Sequence, residues 1–92
     1  MDASLNECML LDVKISLKRE RVGVKGQKVD DSFTSTYVVV GNIALDEFKS
    51  LLKATKEKEL SLRTEFGQMK VRFESLDYKV DGGEFTLILS EQ

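Results

Sequence analysis

"TYVVVGNIALDEFKSLLKATKEKEL", Thr36 to Leu60, changes its hydrophobic period part-way along, and that change decides the fold. Thr36 to Ile43 is dominated by β-branched side chains, the composition of a strand near the centre of a sheet, and Gly41-Asn42 closes it. Beyond that point Leu45, Phe48, Leu51, Leu52 and Thr55 recur at helical spacing, while Asp46, Glu47, Lys49, Ser50, Lys53 and Lys56 take the opposite side. Asp46 and Glu47 fall in the first turn and Lys53, Lys56 and Lys58 late, the order that the helix dipole favours. One strand therefore feeds one amphipathic helix, whose stripe of Leu45, Phe48, Leu52 and Thr55 is expected to lie against a sheet.

Downstream the period returns to two. Leu60, Leu62, Thr64 and Phe66 alternate, and Gly67-Gln68 reads as a turn. Met69, Val71 and Phe73 share one face of the next strand, after which Leu76, Tyr78 and Val80 occupy the other parity. That phase shift requires one extra residue and predicts a β-bulge at Glu74-Ser75. "VDGGE" carries an Asp-Gly hairpin signal, and Phe85, Leu87 and Leu89 mark the returning strand. Upstream, Leu11, Val13, Ile15 and Leu17 alternate with Asp12, Lys14, Ser16 and Lys18, a half-buried strand that extends through polar Arg19 and Arg21. Val22 to Ser35 reads as a long polar loop. The expected order is β-β-α-β-β-β, an α+β fold of two layers. In it an antiparallel sheet of about five strands carries the single helix on one face, with residues 1–92 forming one domain.

Composition closes several chemistries. The 92 residues are 41% hydrophobic and 33% charged, a soluble globular balance. The longest apolar runs, such as Tyr37–Val40, are far too short to span a bilayer, and no secretory leader pattern opens the chain, so a cytoplasmic setting is expected, or host cytoplasm for a viral protein. There is no histidine, which removes imidazole-dependent nucleophiles, His-bearing zinc sites and a proton shuttle near neutral pH. Cys8 is alone, so it forms neither an internal disulfide nor a thiolate cage. "GVKG" at Gly23–Gly26 satisfies the GXXG pattern that clamps nucleic-acid backbones in KH domains. There, however, the loop joins two helices, whereas here a strand precedes it. The same glycines miss the spacing of a phosphate-binding loop, and Asp77–Gly83 lacks the acids of a calcium loop. A single helix on a single sheet leaves little room for a substrate pocket. No enzymatic activity, cofactor or metal is expected.

What remains is a binding protein. Fourteen basic and sixteen acidic residues give a net charge of −2, so any recognition of an acidic partner needs a local patch. The run from Lys14 to Lys28 supplies one, with Lys18, Arg19, Arg21, Lys25 and Lys28 as candidate partner-binding residues. By parity the sheet face turned from the helix carries Lys14, Lys18, Arg63, Lys70 and Arg72 beside Asp12, Glu65 and Glu74. The aromatic residues Phe66, Phe73 and Phe85 fall on the helix side, and Tyr37 is left undecided. The expectation is a small regulator or inhibitor that acts by protein–protein interaction, a class that includes phage-encoded inhibitors of host defence. Its partner would present an acidic or phosphate-bearing surface. The alternative is an RNA or single-stranded DNA binding module using the same basic strip, which base stacking on that face would support. A third expectation is a homo-oligomer formed through a strand edge that no proline protects.

Overall fold

A computed structural model describes the backbone of residues 1–21 and 33–92, and the side chains of residues 1–18 and 35–92. The elements are β1 (Ala3–Leu5), β2 (Cys8–Leu10), β3 (Lys14–Arg21), β4 (Phe33–Asn42), α1 (Leu45–Ala54), β5 (Leu60–Thr64), β6 (Gly67–Tyr78) and β7 (Glu84–Glu91). All seven strands join one antiparallel sheet in the order β2-β1-β5-β6-β7-β4-β3. The α+β class is as expected, and the strand count is not. The extra pair is the tight hairpin of β1 and β2, where Asn6 adopts φ 53 in the turn and Leu5 pairs with Cys8. Three-residue strands are too short to show an alternation, so the sequence gives no periodic sign of them.

The two edges of this sheet are β2 and β3, and only Leu11, Asp12 and Val13 separate them in the chain. In a flat sheet six inter-strand gaps would hold them about 29 Å apart. The three-residue link spans at most about 14 Å. The sheet must therefore curl until its edges approach at this corner. Successive strands alternate in direction, so β2 and β3 run the same way and form one bent path. Asp12 makes the bend at φ 53, its N–H donates to the Asp2 carboxylate at 3.0 Å, and the Val13 N–H donates to the Met1 carbonyl at 2.8 Å.

The helix sits inside the curl. Leu51 is fully buried there with Leu5, Leu10, Val39, Leu62, Phe85, Leu87 and Leu89, each contributing about 1.5–3 kcal/mol by leaving water. Phe48 stacks on Tyr78 with ring centroids 4.2 Å apart and planes 6° from parallel, and the Tyr78 hydroxyl donates to the Ile43 carbonyl at 3.0 Å. These contacts pin the start of α1 to β6 and to the end of β4. The buried stripe is Phe48, Leu51 and Thr55, which corrects the expected one: Leu45 and Leu52 are 47% and 38% exposed. A helix held in a narrow trough buries one tight i, i+3, i+7 line rather than the wider arc that a flat layer would cover.

Other expectations separate in the same way. The register of β6 against β7 shifts between Phe73 and Ser75, the bulge that the phase change requires. The β5–β6 turn is Glu65-Phe66 and not Gly67-Gln68: Thr64 pairs with Gly67, the Phe66 N–H donates to the Thr64 hydroxyl at 3.1 Å, and the Phe66 side chain is 83% exposed. The strand after the long loop begins at Phe33, so the expected loop of 22–35 loses its last residues to β4, and 22–32 lie outside the described residues.

Candidate interaction surface

The face of the sheet turned away from α1 is laid out by cross-strand register. Lys18, Thr36, Ser90 and Arg72 form one row over β3, β4, β7 and β6. Ser16, Val38, Ile88 and Ser75 form the next, and Lys14, Val40, Thr86 and Asp77 the third. Three strand gaps separate the ends of each row, about 14 Å along the backbone. Val38, Val40 and Ile88 are half-buried in the middle, while Lys14, Lys18, Arg72 and Asp77 are exposed at the corners. The alternation of β4 gives this face its apolar centre, because every second residue of a β-branched run must point outward. Three corners are basic and one is acidic. Glu74, the extra residue at the bulge, turns onto this side and accepts a hydrogen bond from the Ser90 hydroxyl at 2.7 Å. Ser90 is thereby 9% exposed, and the carboxylate stands beside the Lys18–Arg72 row.

Of the candidate partner-binding residues, Lys18 is where parity puts it, exposed on this face. Arg19 and Arg21 belong to β3, paired with Ser35 and Phe33, and their side chains lie outside the described residues. Lys25 and Lys28 fall within 22–32 and lie outside them as well. Lys14 and Arg72 join Lys18 as parity indicates, whereas Lys70 and Arg63 stand further along β6 and β5, opposite Ser61 and Gln68. Asp12 and Glu65 are in turns, not on the face. Sequence reasoning gave this face no apolar centre, although the pattern Val38-x-Val40 with Ile88 carried it.

Tyr37 is settled by its partners: it pairs with Leu17 and Leu89 and lies on the helix side. Phe85 is fully buried there, Phe73 is on the same side but 40% exposed, and Phe66 sits in a turn. Among the described residues, then, no aromatic side chain stands on the outer face. Elsewhere, an open crevice runs between the β1–β2 turn and α1, lined by Asn6, Glu7, Cys8, Ser50, Lys53, Ala54 and Glu57. Burial pushes the Cys8 thiol up from its ordinary value, and the nearby Glu47 carboxylate adds to the rise. A thiol held protonated in this way is a poor nucleophile. No helix of the described residues is long and apolar enough to cross a membrane. No family model, curated protein or solved structure matches the chain.

Proposed function

We propose that the protein is a non-enzymatic binder, a regulator or inhibitor that docks a partner protein on the outer face of its sheet in the cytoplasm. The observation that carries this reading is the apolar platform of Val38, Val40 and Ile88 framed by Lys14, Lys18 and Arg72. An apolar centre with a charged rim is the anatomy of a protein–protein contact. The basic rim favours a partner with acidic or phosphate-bearing groups around a small hydrophobic spot, and it sets the association rate more than the affinity. A single-stranded nucleic acid would gain charge contacts here but would find no stacking platform among the described residues.

The test is affinity capture from native lysate by the wild-type protein and by a Lys18→Glu/Arg72→Glu variant, each with and without nuclease. A protein that is retained through nuclease treatment, and lost by the variant, supports the reading. Capture that disappears with nuclease and shows a steep salt slope, roughly 0.7–0.9 per phosphate contacted, transfers the surface to nucleic acid. Capture by the variant at the wild-type level removes the surface altogether.

A further inference from the structure

Strand β3 is one edge of the sheet, and its free side is defined by the hydrogen bonds around it. The Ile43 N–H donates to the Gly83 carbonyl at 2.9 Å and the Lys79 N–H to the Glu84 carbonyl at 2.8 Å. In β4 and β7, odd-numbered residues therefore bond to each other, and even-numbered residues of β4 bond to even-numbered residues of β3. The odd residues Ile15, Leu17 and Arg19 are left with N–H and C=O groups aimed at the open edge. Val13, the preceding odd residue, confirms the direction, because its N–H leaves the sheet for the Met1 carbonyl.

The same edge is apolar where it should be wet. Leu17, Tyr37, Leu89 and Phe73 are directly opposite one another across β3, β4, β7 and β6, a single row on the helix side of the sheet. Leu89 is fully buried, yet Leu17 at the open end is 50% exposed. The row stops at an edge with no strand beside it among the described residues.

We propose that a second copy of this chain pairs with β3 in antiparallel fashion, centred on Leu17, to make one continuous sheet through a two-fold axis. Both faces of the sheet are kept only when paired residues share parity, which limits the registers. Centring on Ser16 sets Lys14 against Lys18 twice, and centring on Lys18 sets it against itself. Centring on Ile15 requires Asp12 and Val13, which are already committed to the bend. Centring on Leu17 sets Lys14 opposite Glu20 twice and Ser16 opposite Lys18 twice, with no like charges facing. It also joins the two apolar rows end to end through Leu17 and its counterpart, and it satisfies the backbone groups of Ile15, Leu17 and Arg19 in both copies. A two-fold contact of this kind is self-complementary and closes on itself; it leaves the apolar centre of the outer face open and shares Lys14 and Lys18 with its rim.

The test uses the whole chain. In a Cys8→Ser background, Leu17→Cys should link two copies by a disulfide under mild oxidation, because directly opposed residues of a hydrogen-bonded pair have Cα atoms about 5.5 Å apart. Ser16→Cys should not, since the two cysteines would then sit on a diagonal. Sedimentation from micromolar to millimolar concentration should show a monomer–dimer equilibrium for the wild type. Lys14→Glu should weaken it about ten-fold, and Lys14→Glu/Glu20→Lys should restore it. Circular dichroism of each variant confirms folding. A monomer throughout the series, equal crosslinking at positions 16 and 17, or a charge swap without rescue would each overturn the proposal.

Discussion

Gly82 and Gly83 offer a matched test of what holds the curl together. Both have positive φ, 87° and 71°, so alanine at either position incurs the left-handed cost of about 1–2 kcal/mol. Around Gly82 an added Cβ meets nothing within 4 Å. At Gly83 it would lie 2.5 Å from the Ile43 carbonyl oxygen. That oxygen accepts from the Tyr78 hydroxyl at 3.0 Å, and the Ile43 N–H donates to the Gly83 carbonyl at 2.9 Å. Relieving the clash moves Ile43 away and gives up both bonds, at about 1 kcal/mol each. Gly82→Ala should therefore cost about 1–2 kcal/mol and Gly83→Ala about 3–4 kcal/mol, out of a total stability of about 5–10 kcal/mol. Urea unfolding, followed by circular dichroism with the slope held common, reads the difference directly. Equal losses within about 0.5 kcal/mol would refute the reasoning, because the junction of the β6–β7 turn with the end of β4 would then not be tight.

Three further outcomes are expected. Asn6 donates to the Glu59 carbonyl at 3.0 Å and accepts from the Ser61 N–H at 2.8 Å while holding φ 53, so Asn6→Ala should cost about 2–3 kcal/mol in the same unfolding assay and Asn6→Gly roughly 1 kcal/mol less. Leu51→Ala should cost about 2–5 kcal/mol, whereas Leu52→Ala, at a position 38% exposed, should cost roughly 1 kcal/mol or less; thermal melts of the pair show which leucine faces the core. The raised Cys8 thiol is protonated at neutral pH, so its alkylation should be slow there and should still be accelerating with pH where an unperturbed thiol levels off. Glu47→Gln should shift that rate profile toward lower pH.

The helix, the central strand and the β6 bulge were legible because each is long enough for its period to declare itself. Thr36–Ile43 and Leu45–Thr55 differ in period over more than two turns, and the jump from Phe73 to Leu76 permits no regular register. What stayed hidden has a common cause. The β1–β2 hairpin, the Asp12 bend and the Asn6 cross-links set the curvature of the sheet, and each acts through one or two residues with no repeat to read. On a flat layer Leu51 and Leu52 fit the helical spacing equally well, so the curvature alone decides that Leu51 is the buried one. Lys14, Lys18 and Arg72 on the outer face are legible because parity is a local property, but its apolar centre depends on the pairing of β4 with β7, which joins residues about fifty positions apart.

Curvature also explains why no described residue covers the outer face. An antiparallel sheet can leave one face to water, and among the described residues the ten-residue α1 covers only one. By bending β2 into β3, the chain turns its sheet into a trough that α1 can fill, and the apolar demand moves to the concave side. The convex side then tolerates Ser16, Thr36, Thr86 and Ser90 among its valines. The bend has a second effect. It commits Val13 to Met1 and, among the described residues, leaves β3 from Lys14 onward with β4 as its one neighbour, so the arrangement that shelters the core leaves the other side of that strand open. Lysines on the outer face keep that edge from pairing at random, and in the proposed register centred on Leu17 they face Glu20 and Ser16 of a second copy, where no like charges meet.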